Sequence, residues 1–219
     1  VTFSALIVLL AAAAGWSTLV MATQEITVHD VTVEASRVRY LEAGPAGGQT
    51  VVLLHGMRFT SETWRELGTI ERLAEAGHHV VALDLPGYGN SERSSVAPEG
   101  YLSKALDALL PGEKVAIVSP SMSGGFSLPF VARHADRVAG YVLVAPVGID
   151  QYKGELHDAK VPTLVVWGEN DTVFPVAQAD VLADALGGTT LILEGASHPA
   201  YLDRPDEFHL ELLAFLKTL

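Results

Sequence analysis

Six short apolar runs alternate with amphipathic stretches between Val51 and Leu193, and this alternation restricts the chain to few folds. The runs are Val51 to Leu54, His79 to Leu83, Lys114 to Val118, Gly140 to Val144, Thr163 to Trp167 and Thr190 to Leu193. Each is apolar at consecutive positions, so both faces of the strand must be covered, as in a parallel sheet packed between layers of crossover helices. Two stretches with alternating polarity, Ile26 to Val33 and Arg37 to Glu42, precede them and read as a hairpin that leaves through Ala43-Gly44-Pro45-Ala46-Gly47-Gly48. The expected class is therefore α/β, with a mostly parallel sheet and helices on both faces.

The intervening segments carry helix punctuation. Thr63 and Glu66 have capping-box spacing ahead of Ile70, Leu73 and Ala74, with Gly77 as the stop. Pro175 opens Val176 to Leu186, which closes at Gly187 and Gly188. Pro205 occupies a first-turn position ahead of Phe208, Leu212, Phe215 and Leu216, which share one helical face.

At 219 residues the chain suits one core, and no linker or repeat divides it. A formal net charge of −12 without a local basic cluster disfavours nucleic acid and anionic lipid as partners. Cysteine is absent, which removes disulfide and thiolate chemistry and is silent on compartment. The eight histidines have no metal-ligand spacing, and the pair His78-His79 reads as a helix-to-strand connection, so no metal and no cofactor is expected. Residues 1–24 differ from the rest: they carry no charge and include the unbroken apolar run Leu6 to Ala14. They read as a signal peptide, with Val20-Met21-Ala22 as a cleavage site, or as a membrane anchor of about 20 residues. Cleavage implies a periplasmic or secreted protein; retention implies membrane attachment through this segment alone. Residues 25–219 form the globular domain.

The strongest chemical signal is the run Val115-Ala116-Ile117-Val118-Ser119-Pro120-Ser121-Met122-Ser123-Gly124-Gly125, where a buried strand passes directly into a helix. A serine at the apex of such an elbow is lifted above the sheet, provided the residues two positions away on each side are small. Those positions hold Ser119 and Ser123, where glycine is commoner. A serine hydroxyl is a weak nucleophile and needs a base within hydrogen-bond reach, held in turn by a carboxylate. Asp171 follows the strand ending at Trp167, and His198 follows the last strand, so the chain order is Ser, Asp, His, with all three beyond strand carboxyl ends. Asp150, after the preceding strand, is the alternative acid. Glu169 and Asp203 read as solvated, and Asp84 as the brace of a tight loop. Acyl transfer also needs oxyanion donors, and the backbone amides of Met122 and Met57 are the candidates. His55 reads as a brace for the loop that carries Met57, and the next residues, Arg58 and Phe59, are candidate substrate contacts.

The segments Leu53 to Trp64, Ala82 to Ser91, Ser119 to Gly124 and Gly195 to Asp203 resemble the abhydrolase-domain-14 branch of the α/β-hydrolase superfamily over about Val31 to the C-terminus. The Ser-Pro-Ser-x-Ser elbow is the most specific point of likeness. The resemblance implies an α/β-hydrolase fold and a Ser-Asp-His hydrolase acting on small acyl esters. It also implies a kinship with a member described as removing acetyl groups from lysine and passing them to coenzyme A. Only 14 residues (147–160) separate the strand ending near Pro146 from Val161, too few for a sizeable cap domain, so an open site and short acyl groups on a small-molecule ester or acylated substrate are expected. Two other readings use the same residues: an acyltransferase or lysine deacetylase with coenzyme A as acceptor, and a non-catalytic binding protein, which would ordinarily have lost a triad member. Dehalogenase and epoxide hydrolase chemistry needs an aspartate at position 121.

Overall fold

The computed structural model describes residues 25–219, so the proposed signal or anchor at 1–24 lies outside the described residues. The opening hairpin is β1 (Thr27–Val33) and β2 (Ser36–Ala43), paired antiparallel. Six strands follow: β3 (Thr50–Leu53), β4 (His79–Leu83), β5 (Val115–Pro120), β6 (Val138–Val144), β7 (Thr163–Gly168) and β8 (Thr189–Leu193). Their order across the sheet is β1-β2-β4-β3-β5-β6-β7-β8, and every pair from β4 through β8 is parallel.

Alternation along each strand divides the core into two. Val52, Val81, Ile117, Leu143 and Val165 face one cluster, completed by α3 (Pro98–Leu109), α4 (Gly124–Arg133), α5 (Ile149–Leu156) and α6 (Gln178–Leu186). Val51, Val80, Val118, Val142 and Val166 face the other, completed by α1 (Ser61–Glu66), α2 (Thr69–Glu75), α7 (Ala200–Asp203) and α8 (Pro205–Leu216). Helices thus cover both faces, which is what strands apolar on both sides require. Between β6 and β7 the chain makes only α5, which packs on α4 and α6 as a crossover helix, with no cap above the sheet. Among the described residues no helix is long and apolar enough to cross a membrane.

Two local expectations are corrected. The cap before the first helix is Thr60, whose hydroxyl accepts from the Glu62 amide at 3.3 Å, and Thr63 lies inside the helix. Gly68 then takes a left-handed φ of 70° and splits the expected helix into α1 and α2. The second half does stop at Gly77, where the amides of Gly77 and His78 return to the carbonyls of Ala74 and Leu73.

His209 on α8 is buried and bonded through Nε2 to the Thr69 hydroxyl of α2 at 2.8 Å. Burial, reinforced by Arg72, pushes its pKa down to about 4. Because the unfolded chain binds this proton near pH 6.5, stability is complete above that pH and is lost as pH falls toward 4. The slope is at most about 1.4 kcal/mol per pH unit. Urea midpoints measured from pH 7 to 4 are expected to fall more steeply for the wild type than for His209→Gln; equal slopes would refute this assignment.

Candidate active site

The elbow forms as expected, and its backbone is strained. Ser121 sits at φ 50°, a left-handed conformation for a non-glycine residue, which costs on the order of 1–2 kcal/mol. Two hydrogen bonds of about 1 kcal/mol each offset that cost: Ser123 Oγ donates to the Pro120 carbonyl at 2.7 Å, and the Val147 amide donates to the Ser121 carbonyl at 3.0 Å. Gly124 allows the approach, since a Cβ there would lie 2.5 Å from the Val147 carbonyl oxygen.

His198 reaches this serine from the loop after β8. Its Nε2 is 2.8 Å from Ser121 Oγ and its Nδ1 is 2.8 Å from Asp171 Oδ2. The Asp171 side chain is fully buried, and its second oxygen accepts the amides of Val173 at 2.7 Å and Phe174 at 2.9 Å. A carboxylate so surrounded by donors acts as an acceptor toward Nδ1–H, which leaves Nε2 bare to take the serine proton. Phe174 packs edge-on against the imidazole, and Trp167 Nε1 donates to the Phe174 carbonyl, anchoring the Asp171 turn to β7.

It is Asp171, not Asp150, that meets His198: Asp150 stands in the first turn of α5, is exposed and pairs with Lys153 at 2.8 Å. Asp84 braces as expected, with its two oxygens accepting the Ser61 and Asn90 amides. His55 does so too, because Nδ1 donates to the Gly56 carbonyl and Nε2 accepts the Leu85 amide. Burial lowers its pKa, so it stays neutral with both nitrogens engaged and cannot serve as a second base.

Glu169 and Asp203 are solvent-exposed, as read from sequence, and also hold the histidine loop. Glu169 accepts the Gly195 amide at 2.9 Å, and Asp203 accepts both the amide and the hydroxyl of Ser197. No local signal marks Glu169, whose partner comes from a different segment, whereas Asp203 and Ser197 are six residues apart.

The Met57 loop lies beside the nucleophile: a Cβ on Gly56 would be 3.7 Å from Ser121 Cβ and 3.2 Å from the Phe59 ring. Met57 is 62% exposed, Arg58 is exposed, and Phe59 is half-buried against Tyr201. Met122 follows Ser121 in a one-turn 3₁₀ helix at Ser121–Ser123, where first-turn amides have no acceptor one turn back. Val173, beside Asp171, adds a second exposed apolar side chain, 56% accessible. Among the described residues no cluster of three His, Cys, Asp or Glu side chains could hold a metal ion.

A family model described as the alpha/beta hydrolase fold matches residues 49–153. The ABHD14B protein of Rattus norvegicus, a candidate protein-lysine deacylase by name, is 41% identical over 213 residues, covering 91% of this chain and 100% of its own. Protein ABHD14A of Danio rerio is 44% identical over 77% of this chain and 64% of its own. Among solved structures, a CIB-like hydrolase from Thermoplasma acidophilum superposes with a TM-score of 0.85 at 28% identity, covering 90% of this chain and 100% of that one.

Proposed function

The chain belongs to the α/β-hydrolase family, in its abhydrolase-domain-14 branch, and from that premise we propose that it is a serine hydrolase of small acyl esters or amides. The observation that carries this reading is the continuous pair of 2.8 Å contacts, Ser121 Oγ to His198 Nε2 and His198 Nδ1 to Asp171 Oδ2. In the proposed reaction, Ser121 Oγ attacks the acyl carbonyl carbon while His198 Nε2 takes its proton, and Asp171 stabilises the imidazolium. The amides of Met122 and Met57 hold the oxyanion, a contribution on the order of 3 kcal/mol per donor to the barrier. His198 then returns the proton to the departing alcohol or amine. In the second half water attacks the acyl-enzyme, with His198 again as base, and releases the acid.

Arg58 and Phe59 belong to the approach, Phe59 through its contact with the glycine beside Ser121. With no cap over the sheet, and with Met57 and Val173 exposed, the site suits a short acyl group on a carrier that stays outside. An acylated lysine is one such carrier, and the name of the rat relative favours it as a second reading. Coenzyme A as the acceptor requires a cytoplasmic location; if residues 1–24 direct export, water is the acceptor.

A fluorophosphonate probe is expected to label the wild type at Ser121, and Ser121→Ala is expected to lose labelling together with turnover of acetyl esters and acetyl-lysine peptides. Labelling at Ser119 or Ser123, or retained turnover in Ser121→Ala, would sink the proposal. Adding coenzyme A to the peptide assay separates transfer from hydrolysis.

A further inference from the structure

Four hydroxyls lie fully buried beneath the elbow, those of Ser119, Ser123, Ser127 and Tyr141. Ser119 Oγ is 2.9 Å from Ser123 Oγ and 2.6 Å from Ser127 Oγ, and Ser127 Oγ is 2.6 Å from the Tyr141 hydroxyl. Their direction follows from counting protons, because each hydroxyl has one to give. Ser123 gives its proton to the Pro120 carbonyl, which can only accept. Ser119 must therefore donate to Ser123, Ser127 to Ser119, and Tyr141 to Ser127. Burial raises the Tyr141 pKa far above its ordinary value, in keeping with a phenol that remains a donor.

The chain thus runs one way, from a tyrosine on β6 to the peptide bond that precedes the nucleophile. We propose that Tyr141, Ser127, Ser119 and Ser123 are positioning residues, whose aligned hydroxyls hold the Pro120–Ser121 peptide plane and so keep Ser121 at its left-handed backbone angle. This rests on the serine-hydrolase reading for its effect on rate. Rotation of that plane is the rotation that sets φ of Ser121. The next plane is pinned by the Val147 amide on the Ser121 carbonyl, which also aims the Met122 amide. Glycine at positions 119 and 123 would satisfy the steric need of the elbow; serine adds a linked set of donors, and hydrogen bonds in such chains polarise one another.

The test is a series of single hydroxyl deletions assayed on an acetyl ester, each with its urea midpoint. If the chain positions the serine, kcat falls in order of distance from the Pro120 carbonyl, with KM unchanged. The expected losses are about 10- to 100-fold for Ser123→Ala, less for Ser119→Ala and Ser127→Ala, and about twofold for Tyr141→Phe. Losses that instead follow the urea midpoints, or kcat within twofold throughout the series, would overturn the proposal. A crystal structure of Ser123→Ala gives a readout free of activity: φ of residue 121 is expected to leave the region near +50°, and its retention there overturns the positioning role. Retained turnover in Ser121→Ala would sink only the hydrolase reading, and the φ measurement would still judge the device.

Discussion

Asp171→Asn is expected to lower kcat on an acetyl ester by about 10⁴-fold, while Asp150→Asn stays within twofold of the wild type. The size of the loss follows from which way the new amide must face. The amides of Val173 and Phe174 both point at one Asp171 oxygen, 2.7 and 2.9 Å away, and only an oxygen can accept them. The asparagine NH₂ is therefore turned toward His198 Nδ1, which has to become the acceptor. The ring proton moves to Nε2, and the imidazole faces Ser121 as a donor instead of a base. Fold and burial are unchanged by this exchange, so the thermal midpoint should move little while fluorophosphonate labelling slows in parallel with kcat. Asp150 lies at the start of α5, paired with Lys153 and exposed, and its neutralisation touches no group of the site. A larger loss for Asp150→Asn, or less than a tenfold loss for Asp171→Asn, would reverse the assignment of the acid.

The second large effect is expected from Gly168→Ala, a change that touches no reacting atom. A Cβ at the end of β7 would lie 2.1 Å from the Ser197 carbonyl oxygen and 2.6 Å from that of Ala196. Both are backbone atoms of the loop that delivers His198, so the loop has to retreat by about an ångström, a displacement that costs about 10²-fold in rate. It cannot swing away freely. The Asn170 amide is bonded to the Ala196 carbonyl at 2.8 Å, Glu169 holds Gly195, and Asp203 holds Ser197. Strain of about 1–3 kcal/mol should therefore appear in urea unfolding beside the kinetic loss. Gly154→Ala is the control, because nothing lies within 4 Å of its added Cβ in α5, and alanine there should stabilise by about 0.5–1 kcal/mol. A Gly168→Ala protein that keeps half of the wild-type kcat would show that the loop position is less constrained than the contacts imply.

The two classes of feature behind these predictions differed in how visible they were. Strands β3 to β7 were legible because burial on both faces forces consecutive apolar residues; β8, read the same way, is an edge strand that is mostly exposed, and β4 and the hairpin lie within a residue or two of where the pattern puts them. Serine, aspartate and histidine were legible because each follows a strand end, and the carboxyl edge of a parallel sheet is one place in space. The first helix differs from expectation because Thr63–Glu66 satisfies the capping-box spacing while the actual cap, Thr60, has threonine three residues on and bonds the Glu62 amide, and a lone glycine at 68 does not announce a break. Glu169 and Asp203 are exposed as their sequence context implies, but that context gives no hint of the backbone amides they accept, because a surface carboxylate looks the same in sequence whether or not it meets one.

By itself the order of residues determined the layered α/β architecture, the strained apex at Ser121 and the candidates for base and acid, since these depend on local periodicity, residue size and succession along the chain. The tertiary structure alone brought Asp171 rather than Asp150 against His198, gave two exposed acidic side chains a role as tethers for the histidine loop, and joined Ser119, Ser123, Ser127 and Tyr141 into one directed chain. These contacts, some between distant segments and some between residues a few positions apart, are fixed by the packing of strand against helix, and hydrogen-bond geometry exists only once that packing has formed.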